Sequence, residues 1–497
     1  MKTNANGKSM TRRQFAQVFT GGAAALAMTG LLGCTPKSEL PSDIAKTYTC
    51  DVLVVGGGGA GVTAAGQAAN AGAKTILIEK MSWLAGSSSL AIGTLYGAGT
   101  KLQEAAGIHD TPEGLLEYFL ASNGDKLDYD IEKFCADHFG ETIDWLMDEM
   151  GVPFKATVSK KGKDTVARGH NINDHANIAL EAVAAYAHQV GVDFHFGMAA
   201  KSLVTTGSAV TGVLARDNMG NLIQYNAKKT IISSGGFCRN ADMIDNYMPD
   251  YTGVYTEVGV GCTGEGLQMG LDLGADYVGH GGTNGILACP VEPGQSKLIS
   301  SSALWVNTAG NRFANEGGQT HDIYYQVAHF DDQKFYAIYD QALVDSLTAA
   351  LKKKVQSGLD EGIFAKAETV SQAAQKLGVN GDNAQISLDS YNALAAAGAD
   401  TQYKKKADYL KPLTTPPYYV MTMGVCTHGS FGGYRVNTDF QVLDKSGSPI
   451  PNLYSAGEVC CGTFIYDDYP AGGCGLNWSY TSGRYSGNNA AAAALGA

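Results

Sequence analysis

Tyr48-Thr-Cys-Asp-Val-Leu-Val-Val55 runs straight into Gly56-Gly-Gly-Gly-Ala-Gly61, and the expected fold grows from this junction. The first part is rich in β-branched side chains, which suit a buried strand. After the glycines, Val62, Ala64, Ala65, Ala68 and Ala69 keep helical spacing and are small enough to lie against a sheet, and the pattern ends at Gly72. Lys74-Thr-Ile-Leu-Ile-Glu79 then reads as a second strand. Strand, glycine turn, helix and strand make one βαβ unit of the kind that holds a dinucleotide. Gly56 permits the tight turn, Gly58 lets the backbone reach a pyrophosphate, and Gly61 lets the helix lie close to the strand. The helix start, with Gly59 and Ala60 in its first turn, presents its positive end to phosphates. Glu79 closes the second strand, where it can accept hydrogen bonds from a ribose.

Two further strand-to-glycine transitions lie far along the chain. One is Lys228-Lys-Thr-Ile-Ile-Ser-Ser-Gly235-Gly236-Phe237; the other is Asn452-Leu-Tyr-Ser-Ala-Gly457-Glu458, with a glycine-rich loop and a last helix beginning near Gly475-Leu476 after it. A ligand touched from both chain ends is long, so FAD is expected rather than NAD. The segment 261–410 lacks such signals, carries helical runs near 341–378 and 386–398, and reads as a second domain inserted into the first. The expected class is α/β: a Rossmann-like domain from 48–260 and 411–497, interrupted by an α+β insertion.

Composition narrows the partners. At 44% hydrophobic and 17% charged residues the chain is globular, and its net charge of -12 repels phosphate backbones, so no nucleic acid is expected. Residues 1–47 read as a leader and linker. Arg12-Arg13-Gln14-Phe15 before the weakly apolar run Gly21–Leu32 resembles a twin-arginine export signal, a route that carries folded proteins. Leu31-Leu32-Gly33-Cys34 resembles a lipoprotein cleavage box with Cys34 as the acylated residue. No later run reaches the ~18 apolar residues of a membrane span, so attachment is expected only through a lipid, with the protein in the periplasm or cell envelope. The ten cysteines show neither Cys-x-x-Cys nor zinc spacing, no metal is expected, and the thiols away from Cys34 read mostly as buried and free.

Taken in order, several stretches resemble the superfamily of FAD proteins that contains fumarate reductases and 3-ketosteroid dehydrogenases. They are Gly56 to Gly61 with Glu79-Lys80, Gly86-Ser87-Ser88-Ser-Leu-Ala91-Ile-Gly93, Ser234-Gly-Gly-Phe237, Thr263-Gly-Glu265-Gly266, Asn307-Thr-Ala-Gly-Asn-Arg-Phe-Ala-Asn-Glu316, Gly432-Gly433 and Leu453-Tyr-Ser-Ala-Gly-Glu458. The resemblance implies that the insertion is a capping domain, that substrate lies between it and the flavin ring, and that these segments, with Ala200, contribute to the FAD site. It also implies a small-molecule substrate and, since the chain shows no haem motif, a separate redox protein as electron donor.

Two departures from that pattern matter. Fumarate reductases carry a clamping arginine before the last Gly-Gly pair, where this chain has Pro470, and a proton-donating arginine after the strand matching Phe335–Asp340, where it has Leu343 and Val344. Without those cations the sequence argues against fumarate. Tyr469-Pro-Ala-Gly-Gly473 is instead similar to the Tyr-Pro-Gly-x-Gly loop of 3-ketosteroid dehydrogenases, which implies that the Tyr469 hydroxyl and the Gly473 N–H hold a carbonyl oxygen as it gains charge. A proton must also move, and His321 is the expected donor, with Tyr324 and Tyr325 as alternatives. Tyr96 is expected to line the pocket, while His280 and His428 are further polar candidates with a core-like character. Trp83 reads as core or pocket wall, and the start of the last helix is expected at the flavin's pyrimidine edge.

Overall fold

The computed structural model describes residues 43–496 apart from 85, 125, 162–163, 176, 293–295, 319 and 467–468, with only the backbone at 320–322. Arg12, Arg13 and Cys34, and with them the leader, lie outside the described residues. The quoted stretch forms the strand Ile44–Val55 and the helix Gly59–Asn70, followed by the strand Thr75–Glu79. Val52, Leu53 and Val54 are fully buried, the continuous apolar run that a parallel sheet covered on both faces requires. The strand starts at Ile44, inside the segment expected to be linker, because Ile44 finds backbone partners beside Leu222.

Ile44–Val55 pairs in parallel with Thr75–Glu79 on one side and with Leu222–Ile232 on the other. Asp193–Phe196 extends the sheet beyond the former; Pro449–Ser455 adds in parallel to Leu222–Ile232, and Gln441–Leu443 closes that edge antiparallel. The first and the last long strands of the fold therefore share one sheet. This is what brings the two glycine-rich regions together.

A second device completes that convergence. The last helix, Cys474–Leu495, packs on Gly59–Asn70, and a Cβ added at Gly483 or Gly487 would lie 2.5 Å from Ala60 O or 2.3 Å from Ala64 O. Two glycines one helical turn apart thus let the two backbones approach as no larger residue would allow. The fully buried Trp478 donates its indole N–H to Gly457 O at 2.9 Å, and the Gly457 N–H donates to Ser482 Oγ at 2.9 Å. Truncating such a tryptophan costs about 3–5 kcal/mol. With the helices pinned this way, both N-termini open toward one cavity.

The second sheet is built on Tyr418–Thr427, with antiparallel partners Lys334–Tyr339, Gly285–Ala288 and Phe364–Ala367, and with Leu304–Val306 beyond Lys334–Tyr339. Tyr255–Thr256 joins it in parallel. Strands from both sides of 261–410 enter this sheet, so it is wider than the expected insertion. The expected helical run 341–378 is likewise broken: Gln341–Asp345, Ala349–Asp360 and Val370–Gln375 are helices, but Phe364–Ala367 is a strand. Its residues pair with Tyr418–Met421, a tertiary partner that local periodicity does not reveal.

The Asn307–Glu316 stretch has a structural role here. Arg312 donates to both oxygens of Glu316 at 2.9 and 2.8 Å and to Asp400 at 2.7 Å, and all three side chains are almost wholly buried. Lys405 donates to Ala303 O and Tyr391 Oη, 3.3 Å from Glu316, and burial pulls its pKa down to about 8. Removing one member of such a cluster strands a buried charge, at a cost of about 3–5 kcal/mol.

Candidate active site

One cavity of about 910 Å³ runs between the two glycine-rich regions. Gly56, Gly58, Gly59, Ala60, Glu79, Lys80, Gly86, Ser87, Ser88, Ala91, Gly93, Ala200, Gly235, Glu265, Gly457, Glu458, Gly475 and Leu476 all line it, together with Tyr469 and Gly473. Residues more than 400 positions apart therefore face a single space.

At one end the wall is backbone. Gly56 has φ +112°, and a Cβ there would sit 2.5 Å from Ser233 O, so only glycine turns the chain here. Gly58 caps the helix without a side-chain hydrogen bond, and a Cβ on it would meet nothing nearer than Gly86 Cα at 4.0 Å: the cavity comes right up to the peptide. The uncapped helix start leaves N–H groups and a positive dipole end for an anion. Glu79 accepts from the Gly57 N–H at 2.6 Å and the Met81 N–H at 2.7 Å, so its carboxylate braces the turn while still facing the cavity. Lys80 reaches Thr263 at 2.5 Å and Glu265 at 3.0 Å, a half-exposed pair that ties the second strand to the Thr263–Gly266 turn.

Two of the expected cofactor residues do not line the cavity. A Cβ at Gly61 would lie 1.9 Å from Gly56 O, and one at Gly236 would lie 2.1 Å from Glu458 Oε1. Gly61 makes room for helix against strand, and Gly236 makes room for Glu458. That carboxyl group is buried, accepts from the Ser430 N–H at 2.9 Å, and has its pKa raised by desolvation.

At the other end side chains form the wall. Tyr469 stacks on Phe431 with ring centres 5.5 Å apart, and its oxygen accepts from the Gly475 N–H at 2.7 Å. Burial pushes its pKa well up, so the phenol keeps its proton. With a lone pair engaged by the helix start, the O–H is left to donate. Gly473 is the N-cap of the last helix at φ +110°, where a Cβ would crowd Thr94 O at 3.0 Å. The Tyr118 hydroxyl holds Pro470 O at 2.7 Å, which fixes the loop between them.

Several expectations are corrected. Tyr96 is fully buried, hydrogen-bonds Asp164 and does not line the cavity. His280 stacks on Tyr466 outside it. Trp83 is 54% exposed, so it belongs to the cavity wall and not to the core. Tyr324 is core: its ring fills the space where Gly285 has no side chain. His321 is the second residue of the helix Thr320–Ala328, but its side chain lies outside the described residues.

His428, read as core-like, does line the cavity. Its backbone N–H donates to Asn284 O at 3.0 Å, its ring Nδ1 is buried with no partner among the described residues, and desolvation lowers its pKa, so the ring is neutral at pH 7. Lys161, Asn171, Arg239 and Asn284 also line the cavity, and sequence reading singles out none of them. They come from a hairpin, turns and the second sheet, with no motif around them; only the fold gathers them.

A parallel sheet with a glycine turn, and a long cavity ending at a second helix start, defines a dinucleotide-binding flavoprotein. Residues 51–476 match the family described as FAD binding domain, and the chain belongs to that family. The chain is 27% identical to NADH:fumarate oxidoreductase of Klebsiella pneumoniae (strain 342) over 91% of its own length, spanning about half (48%) of that protein. It is 28% identical to vinyl phenol reductase of Lactiplantibacillus plantarum, covering 90% of this chain and 97% of that one. Among solved structures it is similar to 3-ketosteroid-delta4-(5alpha)-dehydrogenase from Rhodococcus jostii RHA1, at 25% identity, TM-score 0.71, and 90% and 98% coverage. The residues present fit FAD: two uncapped helix starts, glycines where the cavity meets backbone, and Glu79 at the strand end. The protein is an FAD-dependent oxidoreductase.

Proposed function

We propose that this chain is an exported reductase of the C=C bond in an α,β-unsaturated carbonyl compound, an enone or an acrylate, fed by a separate membrane-linked or periplasmic redox protein. The carrying observation is the Tyr469 hydroxyl, protonated, backed by the Gly475 N–H and facing the cavity beside Gly473. Bound FAD supplies hydride transfer. Reduction puts a hydride on the β-carbon and a proton on the α-carbon, and in between the carbonyl oxygen carries the extra negative charge. In this reading the Tyr469 O–H and the Gly473 N–H take up that charge, a contribution of about 2.7–4 kcal/mol per donor at such sites. Asn171, Thr94 and Gly472 line the cavity beside this loop. The proton for the α-carbon is assigned to His321, whose helix packs against Gly285–Ala288, a strand that contributes Ile286 to the cavity.

The names of the relatives support reduction of C=C bonds; the ketosteroid neighbour supports a second reading, the same groups serving dehydrogenation of a saturated ketone. The FAD-loaded protein, reduced anaerobically with dithionite and mixed with a panel of enones and acrylates, tests both. Flavin reoxidation with one saturated product per flavin is expected. Flavin that stays reduced with every acceptor, but is reduced by a saturated ketone, selects the oxidative reading, and inertness in both directions selects a non-catalytic electron carrier. Mass spectrometry of the mature N-terminus tests export and acylation at Cys34.

A further inference from the structure

We propose that Lys161 is the substrate-recognition cation of this site and that the substrate is therefore an acrylate, an α,β-unsaturated monocarboxylate, rather than a neutral enone. The inference rests on the proposed reduction and narrows it. Among the described residues, Lys80, Lys161 and Arg239 are the lysines and arginines that line the cavity. Lys80 is paired with Glu265, and the Arg239 guanidinium donates to Val258 O at 2.8 Å and to Gly259 O at 3.2 Å. The Lys161 ammonium has no hydrogen bond or ion pair among the described residues; the carboxylate of Asp164 acts on it only at longer range. A half-buried cation without a counter-ion in a ligand cavity is a costly arrangement that an anionic ligand relieves.

The local structure aims it. The turn between Phe154–Ser159 and Gly169–Ile172 is pinned by Asp164, which accepts from the Lys161 N–H at 2.8 Å and donates its own N–H to Lys161 O at 3.1 Å. Asp164 is itself held by the Tyr96 hydroxyl. The aliphatic stem then runs over Gly169, where a Cβ would lie 2.6 Å from Lys161 Cε, and reaches the catalytic loop, where a Cβ on Gly472 would lie 3.9 Å from Lys161 Cδ. Gly472 sits between Pro470, which occupies the position of the missing arginine clamp, and the Gly473 N–H. Lys161 thus brings, from a hairpin some 300 residues upstream, a positive charge to the loop that lacks one. One cation suits one carboxylate, which is why the same site does not suit a dicarboxylate. The exposed apolar side chains Leu90, Ile92, Tyr255 and Val260 line the cavity as well and fit a hydrophobic tail on that acid.

The test uses the full FAD-loaded chain and its Lys161→Met and Lys161→Arg variants. Oxidised protein is titrated with 3-phenylpropanoate and, separately, with the neutral 4-phenylbutan-2-one, following the flavin spectrum; turnover is measured with cinnamate and with 4-phenylbut-3-en-2-one. Lys161→Met is expected to keep its FAD and melting temperature, to lose roughly tenfold or more in 3-phenylpropanoate affinity, and to change less than about twofold for the ketone, as loss of a charged hydrogen bond predicts. Its KM for cinnamate rises while kcat changes little, and Lys161→Arg restores most of the affinity. Equal carboxylate affinity in Lys161→Met overturns the proposal, as does a wild-type protein that reduces the enone but neither binds nor reduces the acids. Carboxylate binding that depends on Lys161, in a protein that reduces neither olefin, upholds Lys161 as the carboxylate-binding cation of the site and overturns the proposed reduction, and with it the acrylate as substrate.

Discussion

The two ends of the cavity are built on opposite principles. The end at Gly56–Gly59 is made from backbone, by residues close in sequence, and its specificity is that of helix start and missing side chains. The end at Tyr469–Gly473 is made from side chains delivered by elements hundreds of residues apart: Lys161 and Asn171 from a hairpin, Asn284 and His428 from around the second sheet, Tyr469 from the terminal loop. A cofactor that stays in place tolerates only a fixed backbone frame. A substrate that must be chosen needs side chains that can change without disturbing that frame.

The largest effect that would break this contrast is at the backbone end. Gly61→Val is expected to yield protein with no bound flavin, because a Cβ 1.9 Å from Gly56 O forces helix and strand apart. Gly58→Ala is its partner: there the Cβ points into open cavity, so the chain should fold and melt normally but hold FAD roughly tenfold less tightly, by blocking close approach. Flavin content by absorbance decides both, and yellow, fully loaded Gly61→Val protein would contradict the account.

At the side-chain end, Tyr469→Phe is expected to keep its flavin and lose about a hundredfold in kcat, the usual cost of one oxyanion donor. Unchanged turnover in single-turnover reoxidation removes Tyr469 from the chemistry. The hairpin that carries Lys161 has a pH signature of its own. His170, buried with Nδ1–H donating to Arg168 O at 2.8 Å and Nε2 accepting from Thr100 Oγ1 at 2.7 Å, has its pKa lowered from 6.5 to about 4 by desolvation. The unfolded chain binds this proton at higher pH than the native one does. Stability from this group is therefore complete above pH ~6.5 and declines as pH falls toward about 4, by about 3 kcal/mol. A His170→Gln variant whose melting curve falls as steeply over that window as the wild type sinks this assignment. The smallest effect is expected at Lys80→Ala. Its pair with Glu265 is half exposed and contributes less than ~1 kcal/mol, so FAD affinity should shift by no more than about fivefold.

Much of the backbone end is legible in the amino-acid sequence. Gly56, Gly58 and Glu79 lie within one βαβ unit, and spacing alone assigns them. Gly61 is legible as the glycine that lets helix lie on strand, whereas Gly236 is not legible as a packing glycine, since only the fold shows that an added methyl there would strike Glu458. The convergence of the chain ends also leaves a trace in the sequence, though a faint one: Gly483 and Gly487 stand one turn apart, as do Ala60 and Ala64 opposite them. The side-chain end is legible only at Tyr469 and Gly473, through their loop motif. Lys161 carries no signal, because a lysine in a hairpin turn is ordinarily solvated. Tyr96 departs from its expected place because its hydroxyl finds Asp164 instead of the cavity.

The dinucleotide frame is written in the order of the residues, because glycine patterns and strand periodicities act over a few positions and stand where they act. Which charged and polar groups face the cavity follows only from the tertiary arrangement. Lys161 is left unpaired among the described residues by the fold that surrounds it, and burial holds the His428 ring neutral; both are properties of neighbours contributed by distant parts of the chain.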